Sequence, residues 1–244
     1  MSLIVVIPAR YESERLPGKP LLNLCGIPMI IRTYHQCIKV VPAEYVYVAT
    51  DDDRIKSVCE EYNIRVIMTS RKCLTGTDRV AEVARQIDAD TYINVQGDEP
   101  VFNPDDLRRL IDEAEAYPQD VINGYCTIVS EEIFQSNNIP KVVMRPDGRL
   151  LYMSRASIPS NKKSKFVTGW RQVCAYAFPR HALEVFSACV VKTQLENIED
   201  IEILRFLELG WEVRMVKMSD VSVAVDKFED IEIAESAIIS LGLI

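Results

Sequence analysis

Near the start of the chain, Ile4-Val5-Val6-Ile7 forms an unbroken run of branched apolar side chains. A run without polar alternation predicts a strand covered on both faces, as in a parallel sheet between layers of helix. It breaks at Pro8-Ala9 into a loop carrying Arg10, Ser13, Arg15, Gly18 and Lys19, with Pro17 and Pro20 bracing its end. A helical pattern resumes near Pro28, with proline in the first turn. Strand, basic loop and helix in this order suit an anion held at the carboxyl edge of an α/β sheet. Neither the dinucleotide glycine spacing nor the P-loop spacing is present. A solvated basic loop is the plainer alternative. Three cations between positions 10 and 19 of a chain with net charge −8 favour phosphate over it.

The first half alternates the two periodicities. Strands are expected over 3–7, 45–50, 65–68 and 91–95, and helices over 29–39, 53–62, 77–87 and 105–116, the pattern of a parallel sheet with helices on both faces. The second half reads differently. Strands at 122–129, 141–145, 150–153 and 171–178 are separated by turns such as Pro146-Asp147-Gly148. Helices follow at 180–188 and 195–209, then a strand at 212–217, an apolar strand at 221–226 and a final helix from about 229. The expected fold class is α/β, a doubly wound, mostly parallel sheet. One domain over 1–244 carries an inserted antiparallel section near 125–180.

The 244 residues are 48% apolar and 26% charged, enough to bury a full core and inconsistent with disorder. The acidic balance argues against nucleic acid and anionic membranes as partners. The apolar stretch at 3–7 is too short for a signal sequence, so a cytoplasmic protein is expected. Seven cysteines without a CxxC pair read as reduced, mostly buried thiols. His35 and His181 are the two histidines, too few for a histidine-rich metal site.

The run Pro8-Ala9-Arg10, Ser13, Arg15-Leu16-Pro17-Gly18-Lys19-Pro20-Leu21 resembles the signature loop of the sugar-acid cytidylyltransferases, in particular the 3-deoxy-manno-octulosonate cytidylyltransferase family. Further matching segments follow in order: Val48-Ala49-Thr50-Asp51, Met68-Thr69, Thr75-Gly76-Thr77-Asp78-Arg79, Asn94-Val95-Gln96-Gly97-Asp98-Glu99-Pro100 and Ser154-Arg155-Ala156-Ser157-Ile158-Pro159. The resemblance implies a Rossmann-like nucleotidyltransferase, a homodimer, that joins CTP to an acidic 3-deoxy sugar for lipopolysaccharide or capsule synthesis.

Asp98 follows the 91–95 strand between Gly97 and Pro100, which places it at the sheet's carboxyl edge. There it can hold Mg²⁺ against a triphosphate; a turn aspartate is the alternative, and Glu99, pointing the other way, is the weaker candidate. The resemblance makes Asp226, after Val221-Ser222-Val223-Ala224-Val225, the second metal carboxylate. A helix N-cap is the alternative for it. Arg10, Arg15 and Lys19 would neutralise the triphosphate and its leaving group. Pro8, Ala9, Arg10, Ser13 and Lys19, together with Thr75, Gly76, Thr77, Asp78 and Arg79, form the expected nucleotide site. A simple Thr/Asp cap is compatible with the second segment. On the sugar side the resemblance points to Gln96, Arg155, Gln172, Tyr176, Glu199 and Glu202, although a solvated acidic face would account for part of the glutamate cluster.

Gln172 stands where the family commonly has histidine, Ile203 where glutamine follows the glutamate, and Lys227 where threonine follows the metal aspartate. These departures admit a modified acceptor, such as an 8-amino form of the octulosonate. Two alternatives remain open: a nucleotidyltransferase for another sugar or sugar phosphate, and a non-catalytic nucleotide-binding protein of the same fold.

Overall fold

The computed structural model describes residues 2–13 and 15–243. In chain order the elements are β1 (Leu3–Ala9), β2 (Asn23–Leu24), β3 (Ile27–Pro28), α1 (Met29–Cys37), β4 (Val46–Thr50), α2 (Asp53–Glu61), β5 (Arg65–Met68), α3 (Gly76–Ala84), β6 (Thr91–Val95) and α4 (Pro104–Ala116). There follow β7 (Val121–Thr127), α5 (Glu131–Gln135), β8 (Lys141–Met144), β9 (Leu150–Ser154), β10 (Trp170–Pro179), α6 (Arg180–Ala188), α7 (Gln194–Glu199), α8 (Ile203–Glu208), β11 (Val213–Lys217) and α9 (Glu229–Ser240). The chain divides into two compact units. One runs up to Arg108 and resumes from Val221, and the other is Arg109–Asp220.

In the first unit the strands are parallel in the order β6-β1-β4-β5. Val5, Val6 and Ile7 are wholly buried, as an apolar run covered on both faces requires. Ala9 lies beside Thr50, and Thr50 beside Met68. Because the strands are parallel, the loops that leave their carboxyl ends gather along one edge. The short β2–β3 hairpin leads into α1, and α9 packs its Ala234 and Ile238 with Leu24, Met29, Val101 and Val225.

In the second unit β7 pairs parallel with β11 and antiparallel with β10. β10 continues to β8, and β8 to β9, both antiparallel. The antiparallel section expected in this part of the chain is therefore present.

Three expectations are corrected. The helix read over 195–209 is two helices, α7 and α8, because Asp200 takes a left-handed backbone with φ of 51°. The stretch 221–226 is not a strand; its Val225 N–H donates to the Asp98 carbonyl at 3.0 Å instead of joining a ladder. The seven cysteines are free thiols, and Cys37, Cys59 and Cys126 are the buried ones, fewer than expected. Burial pushes the Cys59 thiol up to about 12. Among the described residues no helix is long and apolar enough to cross a membrane.

Candidate active site

The basic loop is closed at both ends. Gly18 takes φ of 71°, and its N–H donates to the Tyr11 carbonyl at 2.9 Å. A Cβ on Gly18 would meet the Tyr11 phenol oxygen at 3.1 Å, so backbone conformation and space both call for glycine. The Tyr11 ring lies under the Arg54 guanidinium, 3.3 Å from its centroid. Arg54 in turn forks onto Asp52 at 2.8 and 2.7 Å, while Asp52 caps α2 through the Arg54 N–H at 2.9 Å. None of this chain from Asp52 to Tyr11 was foreseen as part of the site, although an aspartate just before a helical pattern is a cap signal.

A short 3₁₀ turn over Lys19–Leu21 follows and sets the Lys19 ammonium between two carboxylates. It reaches Asp98 Oδ2 at 2.6 Å and Asp226 Oδ1 at 3.2 Å. Arg15, largely exposed, pairs with the same Asp226 oxygen at 3.2 Å. Burial alone would lower the Lys19 pKa, but the Asp98 and Asp226 ion pairs outweigh it and the net shift is upward. Lys19 is thus a firmly held cation. Arg10 is exposed at the end of β1, Ser13 is half-buried in the loop, and Pro8 and Ala9 are buried strand residues.

Asp98 is aimed by its neighbour. A Cβ on Gly97 would lie 2.8 Å from the Pro8 carbonyl oxygen, a contact no side chain tolerates, so the loop after β6 presses directly on the end of β1. The Thr33 hydroxyl donates to the Gly97 carbonyl at 3.3 Å. From the other side, Val225 is buried and bonded to the Asp98 carbonyl, and the Ser222 hydroxyl donates to the Glu99 carboxylate. Glu99 therefore fastens the 221–226 stretch, while Asp98 and Asp226 face one cation. No group of three or more histidine, cysteine or carboxylate side chains poised for a metal exists among the described residues. Two carboxylates meeting at a single positive charge still fit Mg²⁺, which commonly takes one or two carboxylates and fills its shell with substrate phosphate and water.

At the start of α3, Thr75 and Asp78 form a capping box: the Asp78 N–H donates to Thr75 Oγ1 at 3.2 Å and the Thr75 N–H to Asp78 Oδ2 at 2.9 Å. Thr77 is buried. Arg79 is buried as well, bonded to Asp51 at 3.1 Å and to the Thr69 hydroxyl, so its guanidinium ties together the loops after β4 and β5. Gln96, expected on the sugar side, lies against this segment. Its Nε2 is 3.2 Å from where a Cβ on Gly76 would sit, and it donates to Asn94 Oδ1 at 3.4 Å.

The other sugar-side residues lie in the second unit and form two groups. Arg155 and Glu199 are joined: the Arg155 N–H donates to Glu199 Oε2 at 2.8 Å and the Ser154 hydroxyl to Glu199 Oε1 at 2.6 Å. The Arg155 guanidinium donates to the backbone carbonyls of Glu199, Asp200, Asn137 and Asn138, and so stabilises the left-handed break after α7. Burial raises the Glu199 pKa, but the Ser154, Arg155 and Tyr152 bonds outweigh it and hold the carboxyl below its usual range. Gln172 and Tyr176 make the second group. Gln172 is buried, donating to Asn123 Oδ1 at 3.1 Å and to the Tyr176 hydroxyl at 3.4 Å. Asn123 answers the β10 irregularity by donating to the Val173 and Ala175 carbonyls at 2.9 and 3.0 Å. Glu202 is half-buried just ahead of α8. Glu196 belongs elsewhere, in a fully buried pair with Arg205 at 2.6 Å.

A lysine gripped by two aspartates beside the carboxyl ends of parallel strands suits the handling of a polyphosphate, and the class this defines is the α/β nucleotidyltransferases. Within that class, the family described as Cytidylyltransferase matches residues 4–222, and the chain belongs to it. The 3-deoxy-manno-octulosonate cytidylyltransferase of Chlorobium phaeobacteroides is 38% identical over 237 residues, 96% of each chain. The 8-amino-3,8-dideoxy-manno-octulosonate cytidylyltransferase of Shewanella oneidensis is 35% identical over 241 residues, 96% of this chain and 98% of that one. Among solved structures, a CMP:2-keto-3-deoxy-manno-octonic acid synthetase complexed with CTP superposes with a TM-score of 0.92 at 32% identity, covering 99% of this chain and all of the other.

Proposed function

We propose that this protein transfers a cytidylyl group from CTP to the anomeric hydroxyl of a 3-deoxy-2-ulosonic acid, either 3-deoxy-manno-octulosonate or its 8-amino form. The new bond joins the anomeric oxygen to the α-phosphorus, the bond from that phosphorus to the bridging oxygen breaks, and pyrophosphate leaves. The names of the two full-length relatives and the CTP complex of the similar structure support nucleotide and acceptor. The single observation that carries the reaction is Lys19 held between Asp98 and Asp226.

Phosphoryl and nucleotidyl transfers depend on positioning and charge neutralisation more than on covalent help. Lys19 supplies a permanent cation for the triphosphate, and Arg10 and Arg15 flank it on the same loop. Asp98 and Asp226 are the residues that would hold Mg²⁺. When bound, that ion supplies charge neutralisation and acidifies the attacking hydroxyl. The capped start of α3 presents Gly76 and Thr77 to the nucleoside. On the acceptor side we assign Tyr176, Gln172 and Glu202, all in the second unit, to hydroxyl contacts, while Gln96 stays beside Gly76 in the first. Arg155 acts through Glu199, whose carboxylate it holds in the charged form. The family resemblance further supports a cytoplasmic homodimer serving lipopolysaccharide or capsule synthesis.

Pyrophosphate release measured across CTP, UTP, parent and amino-substituted ulosonates, and sugar phosphates tests this. CTP with an ulosonic acid should be the productive pair. Asp98→Asn, Asp226→Asn and Lys19→Ala should each lower kcat by about 10²-fold or more, the scale of losing one electrostatic stabiliser. Normal turnover of Asp226→Asn at saturating Mg²⁺ would leave Asp226 as an ion-pair partner of Lys19 and Arg15 alone, since α9 begins after Phe228 and Asp226 does not cap it. Turnover only with a sugar phosphate would replace the acceptor, and no release with any pair would leave a nucleotide-binding protein.

A further inference from the structure

We propose that Asp230, on the first turn of α9, is the positioning residue that sets the Asp226 carboxylate in the metal site. One oxygen, Asp230 Oδ2, accepts from the Asp226 N–H at 2.8 Å and from the Lys227 N–H at 2.9 Å. These amides precede the helix. Reaching back to the Lys227 amide is what a first-turn acid does to cap a helix, and α9 begins after Phe228, which has no side-chain acceptor to offer; the bond to the Asp226 N–H lies one residue beyond that need. The carboxylate thereby fixes the backbone of the residue whose side chain faces Lys19. Return contact comes from the Asp230 N–H, which donates to the Lys227 carbonyl at 3.1 Å.

A positioning residue must itself be fixed, and α9 is. Ala234 and Ile238 are buried with Leu24 and Met29, and the Glu235 carboxylate accepts the Cys25 N–H at 2.8 Å. Asp226 is thereby held from two sides, by Asp230 behind it and by the Val225–Asp98 backbone bond before it. Around Asp226 and Lys227 the charges are paired: Lys227 with Glu229 at 3.9 Å, and Arg15 and Lys19 with Asp226. Groups that orient metal-binding side chains typically cost 10- to 100-fold in metal affinity or activity when removed. This inference rests on the assignment of Asp226 to the metal.

Asp230→Ala and Asp230→Asn are compared in the full chain with Asp226→Asn, using Mn²⁺ binding in the presence of CTP by electron paramagnetic resonance, kcat against Mg²⁺, and amide hydrogen exchange over 225–228. Asp230→Ala should weaken Mn²⁺ binding and lower kcat by about 10- to 100-fold, leave the KM for CTP unchanged, and speed exchange at Asp226 and Lys227. Asp230→Asn should restore most of both, since its amide oxygen can accept the same two bonds. Asp230 is half-exposed, and Asp230→Ser replaces the alanine variant if that one does not accumulate. Wild-type Mn²⁺ binding in Asp230→Ala, or an asparagine variant as impaired as alanine, would overturn the positioning role. If Asp226→Asn loses metal and Asp230→Ala keeps it, only this inference fails. If Asp226→Asn keeps metal, the assignment beneath it fails first.

Discussion

Asp52 links the start of a helix to the basic loop through three successive contacts. It caps α2, forks Arg54, and through the Arg54–Tyr11 stack backs the tight turn at Gly18 that delivers Lys19. The Arg54 bonds hold its carboxyl down at about 2, against the opposing effect of burial. A carboxyl depressed in the folded state contributes stability above its ordinary pKa, and that contribution is lost as pH falls from about 4 towards 2. Asp52→Asn should therefore be less stable than the parent at pH 6, and the gap between their denaturation midpoints should close at pH 2 to 3. No gap at pH 6 would show that Asp52 acts as a cap alone, since asparagine caps equally well. The aspartate was legible from its place before a helical pattern; its reach to Lys19 was not, because a stack between Tyr11 and Arg54 leaves no periodic trace in the sequence.

Among the elements, α9 with the β2–β3 hairpin has the largest bearing on the site. Arg32, buried on α1, donates to the carbonyls of Leu24 and Leu243 at 2.7 and 2.6 Å and to that of Cys25 at 3.1 Å, stitching the hairpin to the chain beyond α9. Burial pushes its pKa down, and the three carbonyls answer its donors. Arg32→Ala should cost about 1–3 kcal/mol for each carbonyl left buried without a partner. Proteolysis should then begin at the C-terminal segment, at rates that urea midpoints and mass spectrometry of fragments can follow. Cleavage at wild-type rates would show that the apolar contacts of α9 suffice. The hairpin escaped the sequence because two-residue strands carry no usable periodicity, whereas β1, β4, β5 and β6 were plain from their branched runs. The break between α7 and α8 was hidden for a related reason. Helical spacing continues through 195–209, and what interrupts it is the Arg155 guanidinium gathering carbonyls from a distant stretch.

For the molecule as a whole, the division into units separates what the sequence made clear from what it did not. Lys19, Asp98 and Asp226, each named from its place in a motif, meet in one ion-pair cluster, and all three belong to the first unit. The residues expected on the sugar side were named from motif likeness, and the structure engages Arg155 and Glu199 with each other, something spacing alone could not reveal. Ending the chain after Asp220 should abolish pyrophosphate release and expose Leu24, Met29 and Val101, which now bury Val225, Ala234 and Ile238. Burying each large aliphatic side chain is worth about 1.5–3 kcal/mol. A hydrophobic dye should accordingly bind the shortened protein and ignore the parent; a compact, dye-silent fragment would contradict the prediction.

The first unit is interrupted in the chain, since its last piece starts at Val221. On the ribosome, Lys19 and Asp98 therefore emerge long before Asp226. At about 5–20 residues per second the nascent protein spends on the order of ten seconds with a basic loop, a single carboxylate and an uncovered apolar seam. In that interval the seam around Leu24 and Met29 stays open to water, and it closes only once Val225, Ala234 and Ile238 have emerged to cover it.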